Sequence, residues 1–154
     1  MSLRVLVFAC VAALLAAVVP AAAQIPIPPG WQAERVVALT RDGVHAPTQT
    51  NEELNKHVVT PWPVWPVPPG FLTPRGAELM RLMGSYYRAL QGGRGLTQTD
   101  DCPPAGTVAA WADNDQRSRE SGAAQLLGMY PGCVNLAPRY QADLSTPDPL
   151  FHPT

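Results

Sequence analysis

The run Thr60-Pro-Trp-Pro-Val-Trp-Pro-Val-Pro-Pro-Gly70 constrains the fold most, because its prolines remove backbone donors and push their predecessors toward extended geometry. It can form neither helix nor central strand. A polyproline-like loop remains, and its tryptophans, Trp62 and Trp65, read as pins onto the domain's own surface rather than as part of a ligand for a peptide-binding module. Eighteen prolines and twelve glycines among 154 residues extend that punctuation, so short regular elements are expected between long turns and loops.

The first 23 residues have a different character. Arg4 supplies a positive start, Val5 to Val19 is almost unbroken apolar sequence, and Ala21-Ala22-Ala23 before Gln24 is a small-residue cleavage pattern. This reads as a secretory leader, because an apolar run of 15 is short of the roughly 20 residues a membrane-spanning helix needs. Its removal leaves residues 24–154 as one modest domain that carries ten basic side chains against twelve acidic. So slight an acidic balance gives no footprint for nucleic acid or for an anionic membrane after leader cleavage. Cys10 goes with the leader, and Cys102 and Cys133 remain as an even pair in an oxidising compartment, where one disulfide is expected. Two cysteines and three scattered histidines do not make a zinc site.

Arg35-Val36-Val37-Ala38-Leu39 and Val108-Ala109-Ala110-Trp111-Ala112 are short continuous apolar runs of the kind found in buried parallel strands. Between them, Thr73 is a helix N-cap with Pro74 at the first helical position, and Ala77–Leu90 is predicted helical. Leu79, Met83, Tyr87 and Leu90, joined by Met80 and Tyr86, form its expected core stripe. A second helix is predicted over Ser118–Met129, stopped by Pro131-Gly132. Strand, helix, strand, helix implies an α/β sheet.

In such sheets ligands bind beyond the carboxyl ends of strands, here the turns Thr40–Thr48 and Asp113–Arg117. Arg41 and Arg117 could converge across adjacent strands as two planar guanidinium forks suited to a phosphate or carboxylate. Pairing with Asp42, Asp113 or Asp115 is the alternative. His45 is a possible acid, base or donor beside Arg41, while His57 and His152 have no constellation around them.

The run Arg41-Asp42-Gly43-Val44-His45-Ala46-Pro47-Thr48 resembles the Arg-His-Gly-x-Arg-x-Pro signature of the histidine acid phosphatase family, agreeing at Arg41, Gly43, Val44 and Pro47. The likeness is to its periplasmic bacterial phytase and glucose-1-phosphatase branch. Trp62 to Val67, Leu72 to Gly76, Ala112 to Arg119, Ser121-Gly122 and Ser145 to Phe151 resemble that branch in order and spacing, and Cys102 with Cys133 resembles its first disulfide. The implied fold is the N-terminal portion of a phosphoglycerate-mutase-like α/β phosphatase domain, with two short parallel-type strands, helices and long proline-rich loops. Family members are longer, so the chain is expected to represent a truncated domain over residues 24–154, secreted to the periplasm.

In that family an imidazole attacks phosphorus, arginines hold the equatorial oxygens, and a later His-Asp pair protonates the leaving alcohol. The resemblance makes Arg41 and Arg117 phosphate ligands, Asp113 a substrate-side hydrogen-bonding residue and Thr48 a polar contact. The implied partner is a small phosphate monoester, a sugar phosphate or inositol phosphate, with no metal cofactor. Two departures fall in the motif: Asp42 occupies the nucleophile position, and His45 that of the second arginine. No His-Asp pair occurs in these 154 residues. A carboxylate among phosphate ligands repels the dianion and is expected to pair with Arg41, so little or no turnover is expected. A phosphomonoesterase by descent, a non-catalytic phosphate-ester binding protein and a decayed fragment remain open.

Overall fold

The computed structural model describes residues 27–96, 102–133 and 135–152; the expected leader over 1–23 with Cys10, and the turn residues Asp100 and Asp101, lie outside them. The chain divides into two compact units, Met1–Gln32 and Ala33–Thr154. Of the first unit residues 27–32 are described, a turn in which the Trp31 N–H donates to Pro28 O across Gly30.

Among its described residues the second unit holds three α-helices: α1 (Asn51–Leu54), α2 (Pro74–Gly92) and α3 (Gln116–Met129), with a 3₁₀ turn at Asn55–His57 after α1. Thr50 and Glu53 form a capping box, each side chain bonding the other's backbone N–H, which starts α1. Thr73 caps α2 as its sequence predicts, its hydroxyl accepting from the Gly76 N–H at 2.9 Å with Pro74 inside the first turn. The proline-tryptophan loop is held from α1's side: Asn51 Nδ2 donates to Pro63 O at 2.8 Å and Asn55 Oδ1 accepts from the Trp62 N–H at 2.8 Å. Trp65 is half-buried, whereas Trp62 is more exposed, so asparagines carry much of the pinning expected of the tryptophans.

Helices α2 and α3 pack on each other through glycines. A Cβ at Gly84 would collide with the Gln125 carbonyl, and one at Gly128 with the Arg81 carbonyl. Backbones that approach this closely bury the row Gly76, Met80, Gly84 and leave Leu79 and Met83 largely exposed, which corrects the core stripe expected from periodicity. Leu72, Met80, Ala112, Leu126, Tyr130 and Cys133 line the interior, and burial pushes the Tyr130 phenol above its usual range.

Neither expected strand forms a ladder among the described residues. Residues 35–39 have no strand partner, and Val37 and Leu39 are 88% and 92% exposed instead of buried. An apolar run becomes a buried strand only when neighbouring strands and helices cover it. Val108–Ala112 takes part through one parallel bridge, Trp111 to Arg139, in which Ala112 N–H donates to Arg139 O at 2.8 Å and Arg139 N–H to Ala110 O at 2.9 Å. The expected disulfide joins Cys102 to Cys133, tying the segment before this bridge to the turn after α3.

Candidate anion-binding site

Residues 42–47 form a loop clamped between the starts of α2 and α3. Val44 O accepts from both the N–H and the hydroxyl of Thr73, at 3.0 and 2.8 Å, and Ala46 N–H donates to Phe71 O at 2.9 Å beside the antiparallel bridge His45 to Leu72. Gly43 lies so close to α2 that a Cβ there would stand 2.8 Å from Met80 Cγ and 2.9 Å from Gly76 O. A side chain at 43 would lift the loop off the helix. From α3, Gln116 Oε1 accepts from the Leu72 N–H at 3.0 Å and Ser121 Oγ from the Gly43 N–H at 2.9 Å.

This clamp brings Asp42, His45 and Arg117 together, with Arg41 at the edge. Asp42 Oδ2 lies 3.1 Å from His45 Nε2 and 3.3 Å from Arg117 Nε, while Oδ1 is 3.8 Å from Arg41 Nε. The Asp42 side chain is 13% exposed and that of Arg41 94% exposed. The expected pairing of Asp42 with Arg41 is present at 3.8 Å, but His45 and Arg117 are nearer partners, because the clamp turns Asp42 inward and leaves Arg41 in solvent. Oδ2 is buried, yet neither neighbour aligns a hydrogen bond on it, so both contacts are close without being directed. His45 Nδ1 donates to Ala46 O at 2.7 Å, and Nε2 faces the carboxylate. Arg117 also meets the Asp115 carboxylate through Nη2 and leans toward Gly70 O through Nη1.

Thr48 and Asp113, also singled out by sequence, make contacts of their own. Thr48 packs its methyl group toward Gly70. Asp113 faces His152, whose Nε2 is 3.1 Å from Asp113 Oδ2, and its Oδ1 accepts from the Asn114 N–H. The expectation that His152 stands alone is overturned. The chain folds back at 143–152, where the buried Asp148 accepts from Trp111 Nε1 at 2.8 Å and from the Leu150 N–H at 2.9 Å, and Asn114 Nδ2 donates to Asp143 O. The Ser145 hydroxyl and N–H hold the Asp143 carboxyl below its usual range.

No family model matches the sequence. Phytase AppA of Escherichia coli (strain K12) is 41% identical over 140 residues, covering 91% of this chain and 32% of that protein. Glucose-1-phosphatase of Salmonella typhimurium is 34% identical over 127 residues, covering 82% and 30%. Among solved structures, Hafnia alvei phytase in complex with tartrate superposes with a TM-score of 0.77 at 46% identity, over 82% of this chain and 31% of that one. This is a histidine acid phosphatase relative. The chain spans about a third of the length of the curated relatives it matches.

Two contacts of this relative's loop, those of Ser121 and Gln125, escaped the sequence reading, while Arg117 with Asp42 was among the pairings it left open. Arg117, Ser121 and Gln125 lie on one face of α3 and meet, in turn, Asp42, the Gly43 N–H and the Thr40 hydroxyl, the last at 3.4 Å. Their i, i+4, i+8 spacing was the available signal: a polar stripe on a helix that has an apolar face of its own.

Proposed function

We propose that this chain is the phosphate-holding part of a secreted, periplasmic acid phosphatase-type protein, with residues 1–23 as leader and 24–154 as the domain. It binds phosphate monoesters, sugar phosphates or inositol phosphates, and turns them over little or not at all. Arg41 and Arg117 act as phosphate ligands, with Thr48 and Asp113 toward the alcohol and no metal cofactor. The α/β class read from the sequence makes 35–39 and 108–112 two strands of one sheet. The observation that carries the reading is the meeting of Arg117 with the residue at the nucleophile position, across 75 residues of sequence. The relative from Hafnia alvei is solved with tartrate and with myo-inositol hexakis sulphate, both polyanions, which supports an anion as the ligand class.

Turnover fails on chemical grounds. A neutral imidazole stays nucleophilic at acid pH, whereas a carboxylate at position 42 repels the incoming dianion. Aspartyl-phosphate chemistry ordinarily recruits a metal ion to offset that repulsion. His45 would need a different backbone path to replace it, because the clamp fixes the loop and misplacement by about 1 Å already costs about a hundredfold. Binding is tested by titrating glucose 1-phosphate into the oxidised protein, followed by phosphorus NMR and calorimetry. Arg117→Ala, checked for folding by circular dichroism, is expected to weaken binding about tenfold or more. Equal affinity in the variant would remove Arg117 as a phosphate ligand.

A further inference from the structure

The charged groups of this loop do not leave an open receptor. Arg117 Nε and His45 Nε2 converge on one oxygen, Asp42 Oδ2, at 3.3 and 3.1 Å. The remaining arms of Arg117 face Asp115 and Gly70 O. Two cationic or donor side chains from separate elements thus meet a single buried oxyanion, which is the arrangement they would present to a phosphate oxygen. Resting on the phosphate-site reading above, we infer that the Asp42 carboxylate is the resident anion of this site and the residue that decides which ligands enter it.

The consequences follow from charge. A phosphate dianion must either break the contacts of Asp42 with His45 and Arg117 or sit beside a carboxylate of the same sign, and both oppose binding. Asp42 is the carboxylate shared by His45 and Arg117, while Asp115 engages a different arm of Arg117. The backbone of the loop is held by Ser121 Oγ on the Gly43 N–H and by Thr73 on Val44 O, bonds that do not use the Asp42 side chain. Asparagine at 42 keeps the shape, removes the charge and offers an N–H₂ donor to an incoming oxygen. The contacts on Oδ2 lack hydrogen-bond alignment, so loss of the charge releases both partners. Arg41, standing in solvent at the edge, adds positive charge for the arriving ligand.

The test is calorimetric titration of the oxidised protein with inorganic phosphate and with myo-inositol hexakis sulphate, at one pH, for the unmodified chain, Asp42→Asn, Asp42→Ala, Arg117→Ala and Asp42→Asn with Arg117→Ala. Both single variants are expected to bind about tenfold tighter or more than the unmodified chain, and the gain should vanish in the double variant. If the unmodified chain binds as tightly as both single variants and loses binding with Arg117→Ala alone, the resident-anion inference fails while the phosphate-site reading stands. If no folded variant binds either probe, the phosphate-site reading fails and the inference with it. A second measurement needs no variant: saturating phosphate should displace the Asp42 carboxyl carbon resonance of the unmodified chain. An unmoved resonance under saturating, Arg117-dependent binding overturns the inference.

Discussion

Gly128→Ala destabilises the protein by about 3 kcal/mol, enough to lower its urea midpoint sharply. Alanine would normally help at a helical position, by about 1 kcal/mol over glycine. Here its Cβ would run into the Arg81 carbonyl of α2, a backbone atom that cannot rotate away. Either the helices separate or their hydrogen-bonded turns distort, and Ser85, whose hydroxyl meets Gly128 O at 3.3 Å, moves with them. Gly84→Ala attacks the same crossing from the other side, at the Gln125 carbonyl. The two should therefore be non-additive, since the first to part the helices makes room for the second. Gly122→Ala is the control on α3: its Cβ would meet the Pro138 ring at 3.2 and 3.3 Å, a contact relieved by a shift of a few tenths of an ångström. Chemical unfolding followed at 222 nm reads all three, and a Gly128→Ala midpoint equal to that of the unmodified chain would contradict the packing.

Removing the disulfide has an effect of similar size. Cys102 and Cys133 are 31 residues apart in sequence, and on the chain-entropy account a loop of that length contributes about 3 to 4 kcal/mol by restricting the unfolded chain. Paired Cys102→Ala and Cys133→Ala substitutions should lower Tm by roughly 10 °C. The loss should concentrate at the carboxyl end of α3, where Cys133 is buried and its N–H donates to Tyr130 O at 2.9 Å. Thermal unfolding of oxidised and doubly substituted protein measures the difference. A shift under 2 °C would mean that the loop between the cysteines is already ordered in the unfolded reference or that the fold does not depend on it.

What the sequence made legible was local. Thr73 with Pro74 started α2 and Pro131-Gly132 ended α3, because caps and breakers act through the nearest turn of backbone; the Thr50 and Glu53 capping box that starts α1 is a signal of the same kind that went unread. The pairing of Cys102 with Cys133 followed from compartment and parity. The face of α2 was misjudged because hydrophobicity ranked Leu79 and Met83 first, whereas the real contact is chosen by where two glycines let the helices touch. Strand character at 35–39 was misjudged because burial of a strand belongs to its neighbours and not to its own side chains. In the site, the motif pointed to Arg41, Asp42 and His45 as a group. It did not say that Asp42 turns inward while Arg41 turns out, since that depends on a hydrogen bond from Gly43 to a serine 78 residues away. The meeting of His152 with Asp113 was hidden for the same reason: the chain closes 39 residues of sequence to make it.

The central claim is that position 42 holds a resident carboxylate where the family chemistry needs an imidazole, so that the chain holds phosphate esters without cleaving them. The most direct test is hydrolysis of a chromogenic phosphate monoester by the purified oxidised chain between pH 3 and 7, beside Arg41→Ala and beside Asp42→His combined with His45→Arg. The account predicts no turnover above background by the unmodified chain at any pH in that range. Turnover by the unmodified chain that disappears with Arg41→Ala would contradict it, because the reaction would then run through this loop with a carboxylate at its centre.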